Sequence, residues 1–261
     1  MENDNTTTIT FSVSKKIAYI TDIHLDEQFP IDQGVDARKN WETILNDVSE
    51  KGIGEIIFGG DIGEKTVNKW FFESLQNYNV AITLGNHDYF DEVVNYHSIE
   101  IAKNQTELYY SKEYNYYKFL FLDSSSGSIS QEQLNWFKKE LLTKKNIILF
   151  IHHPILGVDT KVDKQFALKN RNLLKTELQN LENDVVIFCG HYHFEDERSN
   201  SNIRQYITPA SSYQVEKIPD EIKVNSTTFG YRIIELNKNE INTEVIMFTT
   251  GKNTAYNTVY K

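Results

Sequence analysis

The sequence of 261 residues contains a single cysteine, Cys189. Proline is also scarce, with four residues. A single cysteine excludes an internal disulfide, and its position at the end of the apolar run VVIFC favours a buried structural thiol over a reactive one. Internal repeats, low-complexity tracts and linkers rich in proline and glycine are also missing. We therefore expect residues 1–261 to form one domain rather than two.

Long apolar runs are missing as well. The longest comprises the five residues from Ile147 to Ile151, whereas a membrane-spanning helix needs roughly 20. The first residues, MENDNTTTITFS, lack the basic and hydrophobic parts of a secretory signal. From these features we expect a soluble, cytoplasmic protein that does not engage a membrane.

Positive charge is scarce, and the formal net charge is -10 at pH 7. The sequence has no basic run and no stripe of alternating aromatic and basic residues. An acidic surface repels a nucleic-acid backbone, so broad binding to DNA or RNA is not expected. If the ligand is anionic, the positive charge must be local, and a metal centre would supply it.

Short apolar runs of strand length alternate with segments of helical period. The predicted strands are IAYI (17–20), EIIF (55–58), VAITL (80–84), KFLFL (118–122), NIILFI (146–151) and DVVIF (184–188). The predicted helices are residues 36–50, 130–142 and 164–181. This alternation predicts an α/β fold with substantial parallel strand pairing, because helices usually connect parallel strands.

The pattern changes after about residue 203 to the strand-like runs IRQYIT, FGYRIIEL and INTEVIMF. Turn-like polar residues separate these runs. We expect this section, about 203–248, to be antiparallel and to complete a second sheet of the same domain.

Residues of metal-ligand type follow five of the predicted strands. IAYI is followed by TDIHLD, EIIF by GGD, VAITL by GNHD, NIILFI by two histidines, and DVVIF by CGHYH. Ligands of open α/β sheets bind beyond the carboxyl ends of the strands, so the five clusters are expected to meet in one site. Glycines before Asp61, Asn86 and His191 would let the backbone turn tightly there.

Seven of these residues are candidate metal ligands: Asp22, His24, Asp61, Asn86, His152, His191 and His193. Seven are too many for one tetrahedral zinc ion and suit two ions that share a carboxylate. Imidazole and oxygen ligands without thiolate favour manganese, iron or zinc over magnesium or calcium alone. We expect His153 to be a packing or supporting residue, because neighbouring strand residues point to opposite faces.

The ordered set DIH, GGD, GNHD, HH and GHYH resembles the calcineurin-like metallophosphoesterase superfamily from about residue 16 to 194. The resemblance implies a sandwich of two mixed β-sheets flanked by α-helices, with a dinuclear centre of two divalent ions at the sheet edge. By position, it implies that one ion is held by Asp22, His24, Asp61 and His193. The other would be held by Asp61, Asn86, His152 and His191, with Asp61 bridging.

The resemblance also assigns roles around the substrate. His87, next to Asn86, would be a proton donor or a phosphate contact, and Asp88 would orient it. Three further stretches are similar to the class III cyclic-nucleotide phosphodiesterase group: LDSSSGSISQEQLNWF (122–137), TPASSYQ (208–214) and FGYRIIEL (229–236). This similarity implies hydrolysis of 3′,5′-cyclic nucleotides or similar small phosphodiesters by a metal-bridging hydroxide.

Other functions remain open on the same residues. The centre could serve a phosphomonoesterase, a nucleotide pyrophosphatase-type hydrolase or a nuclease, although the scarcity of basic residues counts against a nuclease. A non-catalytic binding scaffold would be free to lose ligands, whereas this chain keeps all seven and His87. The sequence leaves a homodimer open.

Overall fold

The computed structural model describes residues 14–97, 106–114, 116–238 and 240–250. Within these ranges we number the strands β1–β13 and the helices α1–α7 in chain order. The prediction that the segment MENDNTTTITFS is not a secretory signal concerns residues that lie outside the described ones. Among the helices that the structure describes, none combines the length and the apolar composition needed to cross a membrane.

The first sheet has five strands and carries three of the ligand clusters. In spatial order it consists of β13 (Ile241–Thr249), β12 (Thr228–Leu236), β1 (Lys15–Ile20), β2 (Glu55–Phe58) and β3 (Asn79–Ile82). Strands β1, β2 and β3 are parallel, whereas β12 pairs antiparallel with β1 and β13 with β12. The carboxyl ends of β1, β2 and β3 therefore lie at one edge of the sheet.

The second sheet has six strands. In spatial order it consists of β4 (Tyr110–Tyr114), β5 (Tyr117–Leu122), β6 (Asn146–Ile151), β7 (Val185–Cys189), β9 (Ile203–Ile207) and β8 (Asp196–Asn200). Strands β5, β6, β7 and β9 are parallel, and the edge strands β4 and β8 are antiparallel to their neighbours. A two-stranded ribbon joins β10 (Gln214–Val215) to β11 (Val224–Asn225).

Alternation along β5 and β6 shows how the sheets are packed. Phe121 and Phe150 belong to the core cluster that also contains residues of β1, β2 and β12. Their neighbours Leu122 and Leu149 belong to a second cluster with α-helical residues. Because successive side chains of a strand point to opposite faces, the second sheet is covered by the first sheet on one face and by helices on the other.

Seven α-helices and one 3-10 helix (Lys65–Val67) are described. The helices are α1 (Gln28–Asp32), α2 (Ala37–Glu50), α3 (Asn68–Ser74), α4 (Phe90–Val93), α5 (Gln131–Glu140), α6 (Lys161–Phe166) and α7 (Arg171–Gln179). The side chain of Asp36 caps α2, and that of Ser130 caps α5. The predicted helices 36–50 and 130–142 thus match α2 and α5 closely.

The predicted single helix over 164–181 is wrong, because two helices occupy this region. Helix α6 ends where Ala167 takes an extended conformation, and α7 begins four residues later. Leu168 in the break is buried in the core, and the side chain of Asn170 bonds both backbone groups of Ile129. These tertiary contacts break a segment whose apolar spacing alone predicts one continuous helix.

We expected the section after residue 203 to be antiparallel and to complete a single second sheet, and this expectation is wrong. Its first strand, β9, is parallel to β7 in the second sheet, whereas β12 and β13 extend the first sheet antiparallel to β1. The section therefore completes both sheets. The predicted fold class, a sandwich of two mixed sheets flanked by helices, is confirmed.

Candidate active site and metal centre

Six of the seven candidate ligands meet at the edge where the carboxyl ends of the two sheets come together. They form two groups whose potential ligand atoms lie within 4.8 Å of one another: Asp22, His24 and His193 in one, and Asp61, His152 and His191 in the other. In the first group, Nε2 of His193 lies 3.3 Å from Oδ1 of Asp22. The structure thus brings Asp22 and His193, which are 171 positions apart in the sequence, into contact at a buried position.

A single carboxylate oxygen connects the two groups. Oδ2 of Asp61 lies 3.1 Å from Nε2 of His152 and 3.6 Å from Nε2 of His24. Asp22 makes a longer connection, with Oδ1 3.8 Å from Nε2 of His152. The shorter pair of contacts places Asp61 between the groups, where a bridging carboxylate would have to lie.

Each of the four candidate histidines contacts a neighbouring protein group with one ring nitrogen, and the other nitrogen is the potential ligand atom. Nδ1 contacts Glu27 in His24, the carbonyl of Gly59 in His152 and the carbonyl of Tyr213 in His193. In His191 it is Nε2 that contacts a carbonyl, that of Phe166, at 2.9 Å. Metal-bound histidines show this arrangement, because the second contact fixes the tautomer that exposes a lone pair.

The two buried carboxylates of the centre favour a positive charge beside them. Nε2 of His152 is fully buried and has no hydrogen-bond partner among the described residues. Burial lowers the pKa of His152, but the carboxylates of Asp61 and Asp22 outweigh burial and raise it to about 10. The negative charge of two buried carboxylates stabilises the protonated form of the neighbouring imidazole. The same negative charge would stabilise a metal cation. The residues present therefore fit divalent metal ions.

The backbone is strained at five of the candidate ligand positions. Five of the seven non-glycine residues with positive φ among those described belong to the site: Asp22, His24, Asp61, His191 and His193. Their φ angles lie between 51° and 69°, in the left-handed region that side chains disfavour. Such strain is of order 1 to 3 kcal/mol per residue, and it persists only where surrounding contacts impose it. Strand ends that turn in this way aim alternate side chains at one point.

Glycine is required next to two of the candidate ligands. A Cβ atom at Gly85 would overlap the carboxylate of Asp61, and one at Gly190 would overlap the side chains of Asp22 and Thr21. These overlaps explain the glycines that precede Asn86 and His191, as the sequence predicted for close backbone approach.

Asp88 has a different role from the one expected. Its two carboxylate oxygens accept backbone hydrogen bonds from Asp61, Ile62 and Gly85 at 2.7–2.9 Å. The residue that contacts the ring of His87 is Glu27, with Oε1 3.0 Å from Nδ1. This corrects the expectation that Asp88 orients His87. Asp88 instead joins the loop after β2 to the turn after β3.

His87 and Asn86 occupy the open side of the centre. The side chain of His87 is 43% exposed, and its backbone N–H donates to Oδ1 of Asp61 at 2.8 Å. The hydrogen bond to Glu27 raises the pKa of His87 to about 9, although burial opposes this. Asn86 is exposed in the same turn and is the one predicted ligand outside the Asp22 and Asp61 groups.

His153 lies beside the centre rather than on the opposite face from His152. The two ring centroids are 5.2 Å apart, and the ring of His153 lies 4.0 Å from that of His191. The expected alternation does not apply because β6 ends at Ile151. Nδ1 of His153 contacts the hydroxyl of Ser124 at 2.8 Å, and the supporting role of His153 stays a prediction.

Sequence reasoning missed several supporting residues. The hydroxyls of Ser211 and Ser212 donate to the carbonyls of Thr21 and Asp22 at 2.8 and 2.7 Å, which holds the turn after β1. These serines lie in TPASSYQ, whose similarity to a known group was a usable signal. Glu27 carried no such signal, because it follows no predicted strand and belongs to no motif.

The model of the calcineurin-like phosphoesterase family matches residues 15–195, which include every predicted ligand. The chain belongs to this family. The resemblance that the motifs suggested is thereby confirmed, and this phosphoesterase is a member of a family of metal-dependent phosphoric ester hydrolases.

Relatives of similar length carry names of one kind. A probable cyclic nucleotide phosphodiesterase of Fibrobacter succinogenes is 27% identical over 244 residues, covering 90% of this chain and 94% of its own. A 3′,5′-cyclic-nucleotide phosphodiesterase of a Nostoc strain is 24% identical, with coverage of 84% and 87%. The 3′,5′-cyclic adenosine monophosphate phosphodiesterase of Escherichia coli K12 is 23% identical, with coverage of 85% of both chains.

Solved structures share the fold of this phosphoesterase. A dimetal phosphatase of Danio rerio superposes with a TM-score of 0.59 at 11% identity, covering 89% of this chain and 99% of that one. GAP50, an anchor in the inner membrane complex of Plasmodium, superposes with a TM-score of 0.60 at 14% identity and coverage of 95% and 89%. A phosphatase and an anchor protein thus share one fold, so function must be argued from the site.

Proposed function

We propose that this phosphoesterase hydrolyses 3′,5′-cyclic nucleotides or similar small phosphodiesters with the help of two divalent metal ions. The observation that carries the proposal is the pair of ligand groups joined through Oδ2 of Asp61. The names of the relatives that span most of the chain support the cyclic-nucleotide substrate.

In this proposal one ion is held by Asp22, His24, Asp61 and His193, and the other by Asp61, Asn86, His152 and His191. The donor set of imidazole, carboxylate and amide favours manganese, iron or zinc. When bound, such a pair lowers the pKa of a water molecule and offsets the charge of the phosphoryl oxygens. Asn86 would complete the second set by turning its exposed side chain towards the centre.

The protein's own groups would handle the leaving oxygen. The Nδ1 contact between His87 and Glu27 leaves Nε2 of His87 to face a bound ester, and the raised pKa keeps a proton available there near neutral pH. Opening of a cyclic phosphodiester produces a ribose alkoxide, which needs a proton to depart. His87 would donate that proton from Nε2.

The whole chain would act as one domain in this proposal. Strands β12 and β13 extend the sheet that contains β1, whose carboxyl end carries Asp22. The cytoplasmic location expected from the sequence is also part of the proposal, and fractionation of cells that express the chain would test it.

A substrate panel tests the function. Purified protein would be assayed with manganese added or withheld against 3′,5′-cyclic nucleotides, nucleoside monophosphates, dinucleoside pyrophosphates and bis(4-nitrophenyl) phosphate. We expect cyclic nucleotides to give the highest kcat/KM among the natural esters and a nucleoside monophosphate as the product. Preferential release of inorganic phosphate from monoesters would overturn the proposal in favour of a phosphomonoesterase.

A further inference from the structure

Glu27 lies beneath the open side of the centre, in the turn between β1 and α1. Its backbone N–H points back at the carbonyl of His24, 3.4 Å away, so the chain reverses and carries the side chain towards the centre. Only 14% of that side chain is exposed. A carboxylate in such a position is not a solvated surface group, and it needs partners.

Its partners are two imidazoles that face different targets. Oε2 of Glu27 lies 3.0 Å from Nδ1 of His24, and Oε1 lies 3.0 Å from Nδ1 of His87. The two rings meet edge to face, with centroids 4.7 Å apart and planes at 89°. One carboxylate therefore spans a candidate metal ligand and the histidine at the substrate side.

The chemistry of these contacts determines both tautomers. An ionised carboxylate can only accept hydrogen bonds, so Nδ1 must carry the hydrogen in both rings. In His24 this leaves a lone pair on Nε2, which lies 3.1 Å from Nε2 of His193 and 3.6 Å from Asp61. In His87 it leaves Nε2 directed away from the protein partner.

We infer that Glu27 is a positioning residue that holds His24 as a metal ligand and His87 as a proton donor through one shared carboxylate. The inference rests on the proposed function for the role of His87. It identifies Glu27, rather than Asp88, as the partner through which the substrate-side histidine is coupled to the metal centre.

The variant Glu27→Gln tests whether position 27 needs a carboxylate that accepts two hydrogen bonds or only a polar side chain of the same size. An amide has one acceptor oxygen and one donor nitrogen, so it can accept from only one of the two Nδ1–H groups. The other ring must then accept at Nδ1. If that ring is His87, its Nδ1 carries no hydrogen, so the ring cannot be the doubly protonated form that donates a proton from Nε2. If that ring is His24, its hydrogen lies on Nε2, which then has no lone pair for a metal ion.

The matched control is Asp26→Asn, the same change at the preceding residue. Asp26 is exposed and pairs with Arg38 at the surface, and its φ of 59° is one that asparagine tolerates. The variant should keep the wild-type rates and spectra. Glu27→Asp serves as a second variant, because it retains a carboxylate that only accepts.

The first readout requires no substrate. Nitrogen-15 spectra of the zinc-loaded protein report which ring nitrogen of His24 and His87 carries hydrogen. We expect Nδ1–H in both rings of the wild type and of Asp26→Asn, and a change in one ring of Glu27→Gln. Unchanged protonation of both rings in Glu27→Gln, a ring of the wild type without hydrogen on Nδ1, or Nε2–H on His24 of the wild type would overturn the inference, whatever the outcome of the substrate panel.

The second readout is kinetic. Glu27→Gln should lower kcat on a cyclic nucleotide by about 10- to 100-fold with KM little changed, on the scale of lost support to a ligand or catalytic group. Glu27→Asp should recover part of that loss. In a His87→Ala background, Glu27→Gln should cause a smaller loss than in the wild type, because only its support of His24 remains. Multiplicative losses in the double variant would show that Glu27 does not act through His87.

If the wild type hydrolyses no cyclic nucleotide, the proposed function fails, and the tautomer spectra still decide the role of Glu27 at His24.

Discussion

Oδ2 of Asp61 lies 3.1 Å from Nε2 of His152, a buried nitrogen without a hydrogen-bond partner among the described residues. The same oxygen lies 3.6 Å from Nε2 of His24 in the other ligand group. Removing this carboxylate should therefore disturb both groups together. We expect elemental analysis of Asp61→Ala to show loss of most of the metal from both sites.

Asp196→Ala is the control for that measurement. Asp196 is also a buried carboxylate, but it pairs with Arg198 on strand β8 and belongs to neither ligand group. It should retain two ions per chain. Two tightly held ions in Asp61→Ala would refute the bridging assignment.

The pair His152 and His153 provides a comparison between neighbours of the same type. His152 faces both carboxylates, whereas Nδ1 of His153 is engaged by Ser124 and burial holds the pKa of His153 well below its usual range. His152→Ala should therefore reduce metal content and activity far more than His153→Ala. Equal metal losses would remove the distinction, and the reverse order would assign the ligand to His153.

His87→Ala should leave both ions bound, because His87 belongs to neither the Asp22 group nor the Asp61 group, and in its cluster with His24 and Glu27 it contacts the Glu27 carboxylate. We expect hydrolysis of a cyclic nucleotide to slow by roughly 100- to 10,000-fold, the usual scale for positioned proton transfer. The loss on bis(4-nitrophenyl) phosphate should be much smaller, since nitrophenolate departs without a proton. Similar losses on both substrates would leave His87 as a contact to the phosphoryl group and exclude the acid role.

Gly190→Ala tests whether the backbone approach at the centre is needed. The new Cβ would overlap the carboxylate of Asp22 and must push it away from His193. We expect manganese affinity to fall about 10-fold or more, as when support of a ligand is lost. Gly54→Ala, where nothing lies within 4 Å of the added carbon, should bind manganese as the wild type does. Equal affinity in the two variants would contradict the crowding argument.

The sequence predicted the parts of this fold that depend on local pattern. Apolar runs bounded by turn residues located β2 and β6 to the residue, and ligand types after five strands predicted a shared site. It could not predict that β12 would pair with β1, because strand partners separated by about 200 positions are chosen by packing. The break before α7 depends on a contact between Asn170 and Ile129 that no periodicity encodes.

The candidate site shows the same division. Residue type and strand position picked out the candidate ligands. The contacts of the second ring nitrogen of the candidate histidines are mostly with backbone carbonyls, which every residue possesses. Glu27 was missed for a related reason: only the reversal of the chain after His24 brings its carboxylate to two rings. Asp88 was misassigned because adjacency to His87 in sequence is not contact in the turn.

Manganese titration of the metal-free protein, with hydrolysis of 3′,5′-cyclic AMP followed at each step, tests the central claim most directly. The account predicts no hydrolysis before metal is added, a rate that rises to its plateau as a second ion per chain is bound, and 5′-AMP or 3′-AMP as the only product. Hydrolysis by the metal-free protein, or two bound ions without hydrolysis of any cyclic nucleotide, would contradict it.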